Sequence, residues 1–342
     1  MMNKDEARRI TVIEQTLEGK FTNQQAADLL QLSVRQIKRL KAKARKAGIS
    51  AIFHGNRNRK PHNAVSEQIE KRIIDLAEGE LEGYNFLHMQ EVLAEEHDLD
   101  ISYSSLSRLL KKHGIKSPKG KRRRKKHRPR EAKAYKGELV QLDASKYDWF
   151  SDGSYAHLHA AIDDATNQVL GLYFTKEETF EAYAELVLQI NREHGLPHAF
   201  YADGRSIFFY DSRVKKKLSL EEELAGIKEK KPQFARACQA LGIKLIQAHT
   251  PQAKGLVERL WGSLQDRLPK DFFRLGIHNM EDANKYLSGY ILEWNRIHSH
   301  TPQKKGSFFS PKLSEKILHT HFAKHQYRIL SSGYTFSFEG QK

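Results

Sequence analysis

The stretch from His249 to Gln265 constrains the fold of this chain more than any other. Leu256, Leu260, Leu264 and Leu268 recur every four residues, the repeat of a helix that buries one face. Pro251 suits a first helical position and Thr250 before it suits a cap, so the spacing predicts a helix opening there. Lys254, Glu258, Trp261 and Gln265 stand at i, i+4, i+7 and i+11, a second strip beside the leucines. The helix thereby presents a carboxylate at its buried margin, with a lysine one turn before it. A lone glutamate there is ordinarily a solvated surface group. Two segments upstream change that reading.

Leu139 to Asp143 alternates apolar and polar residues, and His198 to Asp203 is a short apolar run entered through Gly195-Leu-Pro197 and left through Gly204. Both read as strands that end in aspartate. Ligand sites in mixed α/β sheets gather at the carboxyl ends of strands, where Asp143 and Asp203 are expected. The intervals from Asp143 to Asp203 and on to Glu258 are long enough for the fold to gather all three carboxylates. Three such groups repel unless divalent cations neutralise them, and oxygen ligands without Cys or His point to Mg²⁺ or Mn²⁺.

The set Gln-Leu-Asp143, Tyr-Ala-Asp203-Gly and Thr250-Pro-Gln-Ala-Lys-Gly-Leu-Val-Glu258-Arg resembles the Asp-Asp-Glu core of the transposase and retroviral integrase superfamily. More narrowly it is similar to the ISNCY-type transposases of bacterial insertion sequences, from the N-terminal region to about residue 315. The third motif is the most specific part. The resemblance implies a ribonuclease-H-like α/β core, a mixed five-stranded sheet with helices, preceded by two all-α helix-turn-helix domains. It also implies catalysis by Asp143, Asp203 and Glu258, which would hold two Mg²⁺ (or Mn²⁺) ions per active site, Asp143 bridging both. The implied reaction binds terminal inverted repeats, nicks the element end and joins its 3′-hydroxyl to target DNA, with at least a dimer on DNA. Lys254, and less directly Arg259, would position phosphate oxygens.

Composition agrees with a polyanionic partner. The 342 residues hold 58 Lys and Arg against 42 Asp and Glu, a formal charge of +16. Double-stranded DNA is the natural choice. A membrane is the rival, but no run approaches 18 apolar residues and no hydrophobic signal follows the first methionine. One cysteine, Cys238, allows no internal disulfide, which fits a reducing compartment, and the resemblance implies a cytoplasmic, nucleoid-associated setting in a bacterium. No small-molecule substrate is indicated. One cysteine also cannot build the His-His-Cys-Cys zinc module of a retroviral-type integrase.

Taken in order, residues 1–48 read as three helices, 4–18, 23–30 and a third capped by Ser33 that runs to about Ala47. The last exposes Arg35, Gln36, Lys38, Arg39 and Lys43 and would enter the major groove. Residues 49–63 are polar, basic and aperiodic, a linker. A second trihelical unit spans 64–114. Ser66 caps its first helix to about Glu80, Leu87–Glu96 forms its second, and Ser102 or Ser104 caps a third that offers Tyr103, Ser105, Arg108, Lys111 and Lys112. Residues 115–136 form a basic linker. Lys116 to Arg130, including Arg122, Arg123 and Arg124, holds ten Lys or Arg and no acid, and is suited to follow a phosphate backbone without reading sequence.

The core is expected over 137–302. Strands at 155–163 and 168–175 are joined by a turn at 164–167. Helix 178–194, the strand to Asp203, a charged insertion at 211–230, helix 231–241 holding Cys238, strand 243–247 and the Glu258 helix follow. Asp148, Asp163 and Asp164 are spare carboxylates, the latter pair fitted to turn chemistry. Residues 282–300 form a last helix whose His298 and His300 make a weak zinc set and favour packing or DNA contact. The tail 303–342 ends on an alternating pattern at Tyr334–Glu339. Family members continue into a small β-barrel, which makes this chain look truncated. Two other classes compete: a transposase-derived DNA-binding regulator without catalysis, and a metal-dependent nuclease of the same fold.

Overall fold

The computed structural model describes residues 4–52, 64–118, 131–210, 218–224, 226, 229–248, 254–325, 330 and 332–336. Two compact units result, Met1–Arg72 and Ile73–Lys342.

The first unit contains α1 (Lys4–Leu17), α2 (Asn23–Leu30) and α3 (Val34–Ala47). Thr22 and Gln25 form a reciprocal capping box that starts α2, and Ser33 accepts from the Gln36 backbone to start α3. Between them Gln31 takes a left-handed φ of 54°, the turn of a helix-turn-helix. Ile13, Ala26, Ala27 and Ile37 close the core. The chain from residue 49, read above as linker, instead begins with a 3-10 turn, Ile49–Ile52, because Ile52 completes that core. Residues 53–63 of the expected linker lie outside the described residues.

A second trihelical group comprises α4 (Glu67–Glu78), α5 (Phe86–Glu96) and α6 (Tyr103–Lys112). Asn85 caps α5, and Ser102, rather than Ser104, caps α6. Ile73, Leu81, Phe86, Met89, Leu93, Leu106 and Leu110 are its buried centre.

The sheet follows, with β1 (Val140–Tyr147), β2 (Ala156–Asp163), β3 (Val169–Thr175), β4 (Ala199–Ala202) and β5 (Lys244–Gln247) in the order β3-β2-β1-β4-β5. β1, β2 and β3 are antiparallel neighbours, and β4 and β5 run parallel to β1. This is the mixed five-stranded ribonuclease-H-like arrangement anticipated above. α7 (Phe180–Glu193), α8 (Leu220–Leu224), α9 (Gln233–Ala240), α10 (Gly255–Leu275), α11 (Met280–His298) and α12 (Glu315–Phe322) complete the chain. Val140 and Leu142 of β1 pack with α7, α9 and α12 on one face, while α10 and α11 cover the other.

Two expectations change. β1 does not end at Asp143 but runs to Tyr147, because Ala144 to Tyr147 continue the ladder with β2. Nor is the chain after residue 303 a separate tail. Leu318 and Phe322 of α12 enter the core beside Phe180 and Phe234, and a Cβ on Gly195, at φ 89°, would overlap the Ser310 carbonyl. Of the strand pattern at 334–339, Tyr334 is exposed and residues 332–336 form no strand, while 337–339 lie outside the described residues.

The free edge of β3 is covered by α11. Asn295 both accepts from the Val169 N–H and donates to its carbonyl, each at 2.8 Å, and Asn284 does the same for Phe174 at 2.7 and 3.2 Å. Eleven residues of helix and five of strand both span about 16 Å, so the two amides meet the ladder in register.

Candidate active site

Alternation along β1 decides which side chains reach the site. Val140 and Leu142 point into the apolar core, so Gln141, Asp143 and Ser145 face α10. The strip read from the sequence meets them. The Val257 N–H donates to Gln141 Oε1 at 3.3 Å, Trp261 Nε1 donates to Asp143 Oδ2 at 2.8 Å, and Gln265 Nε2 donates to Ser145 Oγ at 2.9 Å. The described helix begins at Gly255 with Lys254 in the cap position, and the expected start at Thr250 and Pro251 lies outside the described residues. Lys254 thus stands at the head of the helix, one turn before Glu258, and its side chain reaches β1. Its ammonium lies 2.5 Å from Asp143 Oδ1, and both side chains are largely buried.

Asp203 follows β4 directly. β1 and β4 pair Val140 with Phe200 and Gln141 with Tyr201, and the same sixty-residue offset puts Asp143 level with Asp203. Burial pushes the Asp203 carboxyl above the usual carboxylate range and the Asp143 charge adds to this, while Lys254 and the Arg205 backbone N–H pull it down. Burial beside these two carboxylates also pushes the Tyr183 phenol well up.

Residues not singled out from the sequence extend the cluster. Arg205 Nε lies 2.9 Å from Asp203 Oδ2, and the same guanidinium pairs with Glu178, which accepts from the Tyr183 hydroxyl at 2.7 Å. Arg205 stands two residues after Asp203 and could have been suspected as its counter-charge. Glu178 carried no such signal, because its place depends on how α7 packs.

Glu258 lies on the first turn of α10 and is exposed, as is Arg259. Among the described residues no group of three His, Cys, Asp or Glu side chains is arranged to hold a metal ion. The structure thus brings together Asp143, Asp203 and Lys254, with Glu258 on the adjoining turn of the same strip. Asp143 and Asp203 are the oxygen donors a hard divalent cation would use, while Glu258 is not gathered with them into one ligand group among the described residues. Such an ion would compete with Lys254 for Asp143 Oδ1.

The spare carboxylates have structural partners. Asp163 accepts from the Gly137 and Thr166 backbones and the Thr166 hydroxyl, and Asp164 accepts from Lys133 N and Gln141 Nε2, so both hold the β2–β3 turn and the entry to β1. Asp148 accepts from Asp152 and Gly153 in the next loop. His300 bonds the Thr166 carbonyl and His298 packs on Trp294, the packing role expected.

On α3, Arg35, Gln36, Lys38, Arg39 and Lys43 are all exposed. On α6, Tyr103, Arg108, Lys111 and Lys112 are exposed, while Ser105 is tied into the cap by a 3.0 Å bond from Ser102 Oγ. Arg122, Arg123 and Arg124 lie outside the described residues. No described helix is long and apolar enough to cross a membrane.

A helix-turn-helix domain model matches residues 8–62. The transposase for insertion sequence IS1202 of Streptococcus pneumoniae is 34% identical, aligned over 98% of this chain and 77% of its own length. The chain belongs to the insertion-sequence transposase family. A second relative of this transposase, the transposase-type protein y4bF of Sinorhizobium fredii, is 33% identical over 100% of the chain and 73% of its own length. Solved structures similar to the transposase include a chain of the simian T-cell lymphotropic virus intasome in complex with PP2A regulatory subunit B56 gamma. It is 18% identical over 71% of this chain and 76% of that one, at a TM-score of 0.38. The HTLV-2 integrase catalytic core domain in complex with magnesium is 18% identical over 48% and 89%, at a TM-score of 0.33.

Proposed function

We propose that this transposase binds the terminal inverted repeats of its element and cleaves and joins DNA strands with Asp143, Asp203 and Glu258 as its catalytic carboxylates. The observation that carries the reading is that Asp143 on β1 and Asp203 just after its parallel neighbour β4 are close enough for their charges to interact, with Asp143 held by the strip of α10 to which Glu258 belongs. Those three side chains would hold two Mg²⁺ or Mn²⁺ ions. When bound, such ions supply Lewis acidity to the attacking water or 3′-hydroxyl and to the leaving oxygen.

The chain's own residues do the rest. Trp261 fixes the rotamer of Asp143 by holding one oxygen, and Lys254 pairs with the other. Lys254 and Arg259 would meet phosphate oxygens of the bound DNA. Arg205 orients Asp203 through Nε and its backbone N–H. The exposed bases of α3 and α6, with the basic 116–130 segment, bind duplex DNA as expected of at least a dimer joining two ends.

The test incubates the protein with end-labelled terminal repeats and Mg²⁺ and resolves products by strand. Asp143→Ala, Asp203→Ala and Glu258→Ala should each lower strand transfer by at least about a thousandfold, roughly 4 kcal/mol of barrier, while end binding stays within about threefold. A variant that keeps wild-type activity removes its residue from the catalytic set.

A further inference from the structure

α10 carries Glu258 at one end and, some 13 residues on, the side chains that hold α5, a separation of about 20 Å along the helix. Arg267 forks onto Glu91, with Nη2 to Oε1 at 3.1 Å and side chains 8% and 12% exposed. Asp271 Oδ1 lies 3.1 Å from His88 Nε2, side chains 4% and 5% exposed, and accepts from the Tyr84 hydroxyl at 3.4 Å. Arg274 donates from Nε to that hydroxyl at 3.3 Å and pairs with Glu96. The cap of α5 itself, Asn85, donates to Asp266.

This seam is made of long charged side chains. The α4–α6 group has its own apolar centre and does not need the seam to bury its leucines. Buried ion pairs stabilise little compared with apolar packing of equal volume, but they are directional and satisfied in one arrangement only. Their contribution is therefore geometric. α6 is left with Tyr103, Arg108 and Lys111 exposed.

We propose that Arg267, Asp271 and Arg274 are positioning residues that lock the α4–α6 group to the helix bearing Glu258, so that the cut falls at a set distance from the sequence α6 contacts. This rests on the functional reading above. It makes α10 a strut between DNA recognition and catalysis, and predicts that loosening the seam changes where DNA is cut more than whether it is bound.

The test uses Arg267→Met, Arg274→Glu, and Arg274→Glu combined with Glu96→Arg, in the full chain. Cut positions are mapped on a labelled terminal-repeat duplex. Fluorescence energy transfer is measured between dyes on Ser104→Cys and Ser154→Cys, which label selectively because Cys238 is buried. Melting temperature and end affinity are recorded in parallel. The expected result is end affinity within about threefold of wild type, a broadened transfer distribution, and cuts spread over several phosphodiesters. The charge-swapped pair should restore a single position. If Arg267→Met fails to fold, the less buried Arg274 and Glu96 variants decide alone. A single unshifted cut in variants with broadened transfer overturns the proposal, as does transfer unchanged in every variant. A wild-type protein that binds ends and never cuts overturns the functional reading, and the cut-register claim with it, while the transfer measurement still judges the seam.

Discussion

Lys254 and His159 show how burial assigns a residue its work. Lys254 lies on Asp143 with little solvent to screen the pair, so removing it leaves a half-desolvated carboxylate beside Asp203. Lys254→Met should lose up to about 3–5 kcal/mol of stability without divalent ions. Added Mn²⁺ should then raise its melting temperature by more than it raises that of wild type. Equal Mn²⁺ shifts in the two proteins would contradict a contest between ammonium and metal for Asp143. Beneath the site, burial lowers the His159 imidazole to about 4, with Nδ1 on the Tyr173 carbonyl. The folded value lies below the unfolded one near 6.5, so this contribution is whole above pH 6.5 and is lost as pH falls towards 4, by up to about 3 kcal/mol. Urea unfolding at pH 7.5 and 5.0 should show a smaller acid loss in His159→Asn than in wild type. An equal loss would place the acid sensitivity elsewhere, for example at His194, which burial also lowers to about 4. Both aspartates and the lysine were legible in the sequence. The Arg205–Glu178 pairing was not, since nothing local to either residue encodes the approach of α7 to the end of β4.

Elements were legible where their own periodicity reports a buried face. Ser33 and Ser66 marked helices whose expected ends fall within a few residues of those found, and the leucine repeat marked the buried face of α10. β1 was cut short because Ser145 and Lys146 break the apolar alternation, although pairing with β2 continues through both. α12 was missed because a short helix with two buried residues, Leu318 and Phe322, repeats too little to stand out. The edge of β3 offers the sharpest test at this scale. Asn295→Ala leaves the Val169 amide and carbonyl without partners, which should cost about 1–3 kcal/mol in urea unfolding. A loss no greater than that of an exposed control such as Ser288→Ala would mean the amide clamp is idle.

For the whole molecule, charge is the property that needs no fold. With +16 overall and ten bases between Lys116 and Arg130, end binding should weaken steeply with salt. Deleting residues 119–130 should flatten the slope of log K against log salt by several units, while the preference for terminal repeats over random duplex changes little. A lost preference with an unchanged slope would show that this segment reads sequence.

Composition and pattern by themselves determined a basic chain of several units, its helices and most strands, and singled out the three acids on which the proposed chemistry rests. These follow from local repeats and from side-chain chemistry, which survive in one dimension. Only the tertiary structure decided that Asp143 and Asp203 stand level, that Lys254 sits on the former, and that α10 grips α5 through Arg267 and Asp271. Each of these depends on strand register or on the reach of one helix to another, and such distances are set by the packing of the whole core.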